Sequence, residues 1–173
     1  MSIAASGHRN HWMSDLDDID RKLLALLQEN GRTSYAELGK AVGLAVSSVN
    51  DRVRKLQDRG VIEGVYAALS AEALRLDLLA IIFVGWTDPA TEAPFLARVA
   101  DEPSILECHH VTGAWNYLLK VRTHTTRDLE AFLAAIVKGV PGVQRTETLI
   151  VLSSAKETFH LPLELPAWRN PRA

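Results

Sequence analysis

Four side chains able to ligate a metal follow one another at Glu107-Cys108-His109-His110. Carboxylate, thiolate and imidazole suit zinc when four such groups converge on one point. The local pattern here is that of a strand, which sends Cys108 and His110 to one face and Glu107 and His109 to the other. No second cluster of such residues stands elsewhere in the chain. The run therefore reads as strand packing and hydrogen bonding, with no metal and no other cofactor. A different chemistry is written in Ser47, Ser48, Asn50, Arg52, Arg54 and Lys55. Hydroxyls, an amide, guanidinium groups and an ammonium offer hydrogen bonds to base edges and charge to phosphates. The competing reading of the cations is a solvated helix face, paired with Asp51 and Asp58 three or four residues away; DNA contact is favoured for Arg54 and Lys55, with internal pairing as the alternative for Arg52.

The elements around these residues decide between the two readings. Leu16, Ile19, Leu23, Leu26 and Leu27 recur at helical spacing, and Asn30-Gly31 supplies residues that tolerate a left-handed helix stop. Tyr35, Leu38 and Val42 mark a short second helix, closed at Gly43, where a tight turn asks for a positive φ. A third stretch, 46–59, puts Val49, Val53 and Leu56 on one face and the polar residues on the other. Helix, short helix, glycine turn and a helix with a polar outer face make a helix-turn-helix unit, which lays its last helix in the DNA major groove. The spacing predicts a short strand after that helix, over 60–64, and another near 65–69.

Charge limits how such a unit works. The formal net charge is −2, and residues 15–63 carry nine acidic and eight basic side chains, so bulk attraction to nucleic acid is excluded. Placement must do the work: Asp15, Asp17, Asp18 and Asp20 open the first helix, where they favour its dipole, while Arg52, Arg54, Lys55 and Arg59 gather on the third. The single cysteine, Cys108, rules out an intramolecular disulfide and fits a reducing, cytoplasmic setting. No apolar run reaches transmembrane length, and no signal peptide is visible, so no membrane partner is expected. Met13 reads as an alternative start to Met1, and residues 1–14 as a disordered extension.

Beyond residue 63 the element types alternate. A linker over 64–76, with a helical turn near 70–74, leads to a strand at 78–86 whose nearly unbroken apolar run predicts burial on both faces. Asp88-Pro89 starts a helix with Phe95, Leu96, Val99 and Ala100 as its inner face, ended by Pro103. Strands follow at 105–111 and 117–122, joined by a turn at 112–114. Thr125 or Thr126 caps a helix with Leu129, Phe132, Leu133, Ile136 and Val137 inward, and Pro141-Gly142 turns into a last strand over 145–153. The order βαββαβ is ferredoxin-like. The fold expected is α+β: a winged helix-turn-helix domain (15–63) joined to a ferredoxin-like domain (77–156), with an irregular tail over 157–173.

These blocks together resemble the Lrp/AsnC, or feast/famine, regulators. The resemblance is carried by Leu16-Asp17-Asp18-Ile19-Asp20-Arg21-Lys22-Leu23-Leu24, Gly31-Arg32, Glu37-Leu38, Val42-Gly43-Leu44, Arg52-Val53-Arg54-Lys55-Leu56 and Gly60-Val61-Ile62. In the second domain it rests on Glu107 to Gly113, Tyr117-Leu118-Leu119-Lys120-Val121 and Pro141-Gly142-Val143. It implies a transcriptional regulator that binds double-stranded DNA, assembles as a homodimer or a higher homo-oligomer up to an octamer, and is modulated by a small effector, usually an amino acid. It also implies an effector site at the turn between the second and third strands, here Thr112, Gly113, Ala114, Trp115 and Asn116, with Thr146 and Thr148 approaching it. The family usually has Asp where Asn116 stands; the amide keeps a carbonyl acceptor and gives up the charge, worth about 1 kcal/mol toward an ammonium group. Ala45 stands where a capping Ser is common, a loss of roughly 0.5–2 kcal/mol that Ser47 would offset by capping one turn later and shortening the reading helix.

Two rival readings share this architecture. Sirohaem decarboxylases act on a tetrapyrrole with several carboxylates and need cationic and aromatic groups after the helix-turn-helix; residues 65–76 offer Tyr66 and Arg75 but no His. A metabolite-sensing assembly module with a degenerate DNA-binding domain would suit the uncapped third helix and its near-neutral surroundings.

Overall fold

The computed structural model describes residues 16–163. The expected N-terminal extension, the choice between Met1 and Met13 and the end of the tail lie outside the described residues. The described chain forms two units, residues 16–67 with 158–163 and residues 68–157.

The first unit is helical. Helix α1 spans Asp18–Glu29, α2 Tyr35–Val42 and α3 Val46–Asp58. Asp17 caps α1 by accepting the Asp20 N–H at 2.7 Å. Ser34 and Glu37 form a reciprocal capping box on α2, and Gly43 closes it in the left-handed region at φ 73°. Leu23, Leu38, Val49 and Val53 are enclosed between the helices, with Ile19, Leu26, Leu27 and Val42 packed around them. Three expectations are corrected here. Helix α1 ends on an extended Asn30, φ −144°, so Gly31 is not needed for a left-handed stop. Its missing side chain makes room instead: a Cβ there would lie 2.7 Å from Val65 Cγ1. Ser47 does not shorten α3, which begins at Val46 with Ala45 as an N-cap that supplies no side-chain bond. The strands expected over 60–64 and 65–69 do not form; 63–70 run as irregular chain, because a strand without a partner has no ladder to join.

Part of the tail belongs to this helical unit. Gln28 pairs with the Leu161 backbone in both directions, Nε2 donating to the carbonyl at 3.1 Å and Oε1 accepting the N–H at 2.7 Å. Arg21 donates to the Leu163 carbonyl at 2.9 Å.

The second unit is a four-stranded antiparallel sheet in the order β2-β3-β1-β4. Its strands are β1 (Leu78–Gly85), β2 (Ile105–His110), β3 (Tyr117–Thr123) and β4 (Arg145–Ile150). Helix α4 (Glu92–Ala100) follows a single 3-10 turn at Pro89–Thr91, and α5 (Thr126–Phe132), boxed by Thr125 and Asp128, runs on into one π turn at Leu133–Val137. Both helices cover one face. Ala80, Ile82, Val84, Leu119 and Val121 meet Phe95, Leu129, Phe132 and Val137 there. Trp86, Phe95 and Tyr117 form an aromatic cluster with ring centroids 5.0–5.6 Å apart. Leu96 and Ala100, expected inside, are exposed, since Phe95 and Val99 alone reach the sheet.

The other face is set by the register. Leu79 opposes Arg122, Ile81 lies between Lys120 and Leu149, and Phe83 between Leu118 and Glu147. No helix of this unit covers those residues. The expected burial of β1 on both faces is reached only in part: on this face Leu79 is buried, while Ile81 and Phe83 stay half-buried.

Candidate DNA-contact helix and effector-site turn

Helix α3 owes its orientation to Val49, Val53 and Leu56, all buried. At about 100° per residue, this leaves Ser47, Asn50, Asp51, Arg54, Lys55 and Asp58 turned outward, and each of them is exposed, as is Ser48. Arg54 reaches Asp51 at 3.5 Å in an exposed pair that holds it weakly. The uncapped N-terminus leaves the first-turn N–H groups to solvent, where an anion can take them. Sequence reasoning passed over Val46, which is 51% exposed at the same end. An apolar residue on an otherwise polar helix face is the signal that could have found it, since thymine methyls are read by such contacts.

Arg52 does not belong with these residues. Its Nη1 donates to Asp17 Oδ2 at 2.7 Å and to Asp20 Oδ1 at 2.8 Å, tying α3 to the start of α1. The Asp17 carboxyl is held below the usual Asp range, first by the Asp20 backbone N–H and then by Arg52. Arg52, at about 240° on the helical wheel, lies toward α1 and not along the outward face.

At the other candidate site, Gly113 turns the chain between β2 and β3 at φ 106°, and Thr112, Gly113 and Ala114 are exposed. Asn116 fastens the turn to β1. Its N–H donates to the Val84 carbonyl at 2.9 Å, and its Oδ1 accepts the Trp86 N–H at 2.8 Å. The carbonyl expected to face an ammonium group is thus already engaged, because the β1 ladder has run out at Trp86 and leaves that N–H to be satisfied. Trp115 lies on the open face of the sheet, 5.9 Å from the Phe83 ring, with the Arg145 guanidinium 4.6 Å from its own centroid.

Thr146 and Thr148 are not on that face. They pair with Val84 and Ile82 of the core, so they point beneath the helices, half-buried, while Arg145 and Glu147 take the side that Trp115 occupies. Within one chain the structure brings together Thr112–Asn116 and leaves the two threonines on the opposite face.

The Glu107-Cys108-His109-His110 run divides as strand geometry requires. His110 stacks on Tyr117 at 4.9 Å on the helix side, and Cys108 is paired with core Leu119. Burial pushes the Cys108 thiol up to about 11, so it stays protonated at neutral pH. Glu107 joins His109 at 3.2 Å and Lys120 at 3.1 Å on the open side. Burial favours its neutral form, but the bonds from His109 and Lys120 hold it below the usual Glu range. Glu157 completes the network with Lys120 (2.6 Å) and Arg122 (2.8 Å), and its bond is the main reason the Lys120 ammonium titrates above its ordinary value. Tyr117 donates to Glu92 Oε1 at 2.7 Å; burial, then that bond, pushes its hydroxyl up to about 12.

Comparison with known proteins agrees with this geometry in both units. Residues 16–57 match the AsnC-type helix-turn-helix domain, and residues 79–161 match the Lrp/AsnC ligand binding domain. The chain is 36% identical over 149 residues to the HTH-type transcriptional regulator FL11 of Pyrococcus horikoshii, covering 86% of this chain and 97% of that protein. A transcriptional regulator of Neisseria meningitidis, solved in complex with L-Met, superposes with a TM-score of 0.82 at 34% identity, covering 86% of this chain and 97% of that one. The feast or famine regulatory protein of M. tuberculosis, solved with L-methionine, gives 0.78 at 36% identity, over 85% and 99%. Helix-turn-helix, ligand-binding fold and full-length similarity converge: the chain belongs to the Lrp/AsnC family of transcriptional regulators.

Proposed function

We propose that this protein regulates transcription by binding double-stranded DNA through α3, as a homo-oligomer whose DNA affinity or assembly responds to an amino acid. The observation that carries the DNA-binding part is the outward face of α3, where Ser47, Ser48, Asn50, Arg54 and Lys55 stand exposed at an uncapped helix start. Arg54 and Lys55 meet phosphates; the short polar residues and Val46 meet base edges. Arg52 stays out of the interface and keeps the helix in position.

Assembly follows from the open sheet face. Ile81, Phe83, Leu118 and Leu149 form an apolar strip there, uncovered by either helix of the unit. A second copy is the natural cover, since a two-fold arrangement lays the same strip on itself and buries both at once. A dimer of this kind presents two α3 helices to half-sites about one helical turn apart, or multiples of that.

The effector class is carried by relatives: two neighbours of the same fold were solved with L-methionine. The turn Thr112–Asn116, exposed at 112–114, is the site we assign to it. Differential affinity for two states of about 1–3 kcal/mol would shift DNA binding 5- to 150-fold. Relatives of this chain are named as transcriptional regulators, and we read it as a regulator and not as an enzyme. The test is anisotropy titration of DNA from the protein's own upstream region. Replacing Arg54 and Lys55 together by Ala should flatten the dependence of log K on log salt by about two units, near 0.9 per phosphate lost. An unchanged slope would refute the assignment.

A further inference from the structure

The open end of the sheet, beside the turn, gathers several hydrogen-bond donors, one of them a full positive charge. Arg145 begins β4 opposite Gly85. Its guanidinium lies over the Trp115 indole, 4.6 Å from the centroid, and Trp115 leans in turn on Phe83. Gly85 makes this seat: a Cβ there would come within 2.7 Å of Arg145 Nε and 3.3 Å of Trp115 Cε3. The ring positions the guanidinium, whose N–H donors make no hydrogen bond among the described residues. Arg145 is exposed, and among the described residues its guanidinium has no ion pair and no hydrogen bond. The acid nearest to it in sequence on that face, Glu147, stands two residues along β4 opposite Phe83 and does not pair with it.

The turn adds donors of its own. The Trp86 N–H can only donate, so the Asn116 atom it meets is Oδ1, and the Nδ2 amide is the part left over. The backbone N–H groups of Thr112, Gly113, Ala114 and Trp115 have no acceptor among the described residues. A guanidinium, a carboxamide N–H₂ and main-chain N–H groups at one end of the sheet suit a carboxylate, while the acceptors of the same turn are its neutral carbonyls and the Thr112 hydroxyl.

We propose that Arg145, seated over Trp115 in the gap left by Gly85, is the anchor for a ligand carboxylate at this turn. The inference rests on the reading of Thr112–Asn116 as the effector site and adds a residue and a polarity to it. The ligand enters with its carboxylate toward Arg145 and Asn116 Nδ2, and its ammonium group faces away from Asn116.

The test couples a change in the ligand to a change in the protein. Calorimetry on the full chain uses the twenty amino acids, then the amide of whichever binds best, starting with L-methionine and L-methioninamide. Wild type should bind the carboxylate form at least about tenfold more tightly than the amide. Arg145→Gln should lose about that factor toward the carboxylate and almost nothing toward the amide. Arg145→Lys should recover only part, since an ammonium neither stacks flat nor forks. Gly85→Ala should copy Arg145→Gln while leaving Arg145 in place, with a thermal melt to check folding. If the amide loses the same factor in wild type and in Arg145→Gln, the carboxylate does not meet Arg145, and the anchor is wrong while the effector site stands. If no amino acid binds wild type, the effector reading fails and the anchor falls with it.

Discussion

Replacing Arg52 by Ala separates a residue that positions the DNA-binding helix from one that touches DNA. Its guanidinium bonds two carboxylates of unequal burial, Asp17 with a side chain 50% exposed and Asp20 with one only 11% exposed. The exposed pair contributes about 0.2–1 kcal/mol. The second is a charge-assisted bond to a nearly buried carboxylate, worth about 1.5–3 kcal/mol, and removing Arg52 leaves that carboxylate without its cation. Arg52→Ala should therefore cost about 2–3 kcal/mol, or roughly 10–20 °C in the melting of the small helical unit. Calorimetric melting of Arg52→Ala, Asp20→Asn and the double variant forms a cycle, in which the two single losses should overlap strongly. The pH dependence has a definite sign. The folded state holds Asp17 ionised below its ordinary range, so its contribution is complete above the unfolded value near 4. That contribution is lost as pH falls through the lower folded value. At a temperature where Arg52→Ala remains folded, its salt slope for DNA should match wild type. A slope lower by about one unit together with an unchanged melt would make Arg52 a phosphate contact and refute the clamp.

Two further outcomes are expected. Ala45→Ser should add about 0.5–2 kcal/mol to the helical unit by capping α3, read as a higher melting temperature; no gain would mean that the first-turn N–H groups are already satisfied. Leu149→Glu puts a charge in the middle of the open apolar strip, where Leu149 is 49% exposed and opposes Ile81, and light scattering at micromolar concentration should move toward the monomer mass while circular dichroism stays unchanged.

The sequence made some of this legible and hid the rest for identifiable reasons. The helix-turn-helix could be read because Ile19, Leu23, Leu26 and Leu27, and then Val49, Val53 and Leu56, recur at helical spacing and Gly43 marks the turn. The sheet could be read because Tyr117 to Thr123 alternates strictly between buried and half-buried residues. The partners of Arg52 were not legible because they lie 35 and 32 residues away, beyond any local pairing rule. Alternation groups Thr146 and Thr148 on one face without saying which face that is; only pairing with Val84 and Ile82 decides it. The Trp115–Arg145 stack depends on the missing side chain of Gly85, a gap that no single-strand pattern reveals.

The Gln28–Leu161 clasp bears on the order in which the protein is made. Its two partners are separated by 133 residues, and Arg21 and Leu163 by 142, so the helical unit is assembled from parts of the chain that leave the ribosome far apart in time. At about 5–20 residues per second the interval is roughly 7–27 s. During it α1, α2 and α3 can pack, since their core needs nothing from 158–163, while the entire sheet is translated and closes. Gln28 and Arg21 remain hydrated until then. The late loop closure costs little extra entropy, because that cost grows only with the logarithm of length. A fragment ending before residue 158 carries all three helices of the DNA-binding unit but lacks the strand of backbone that Gln28 and Arg21 are built to hold.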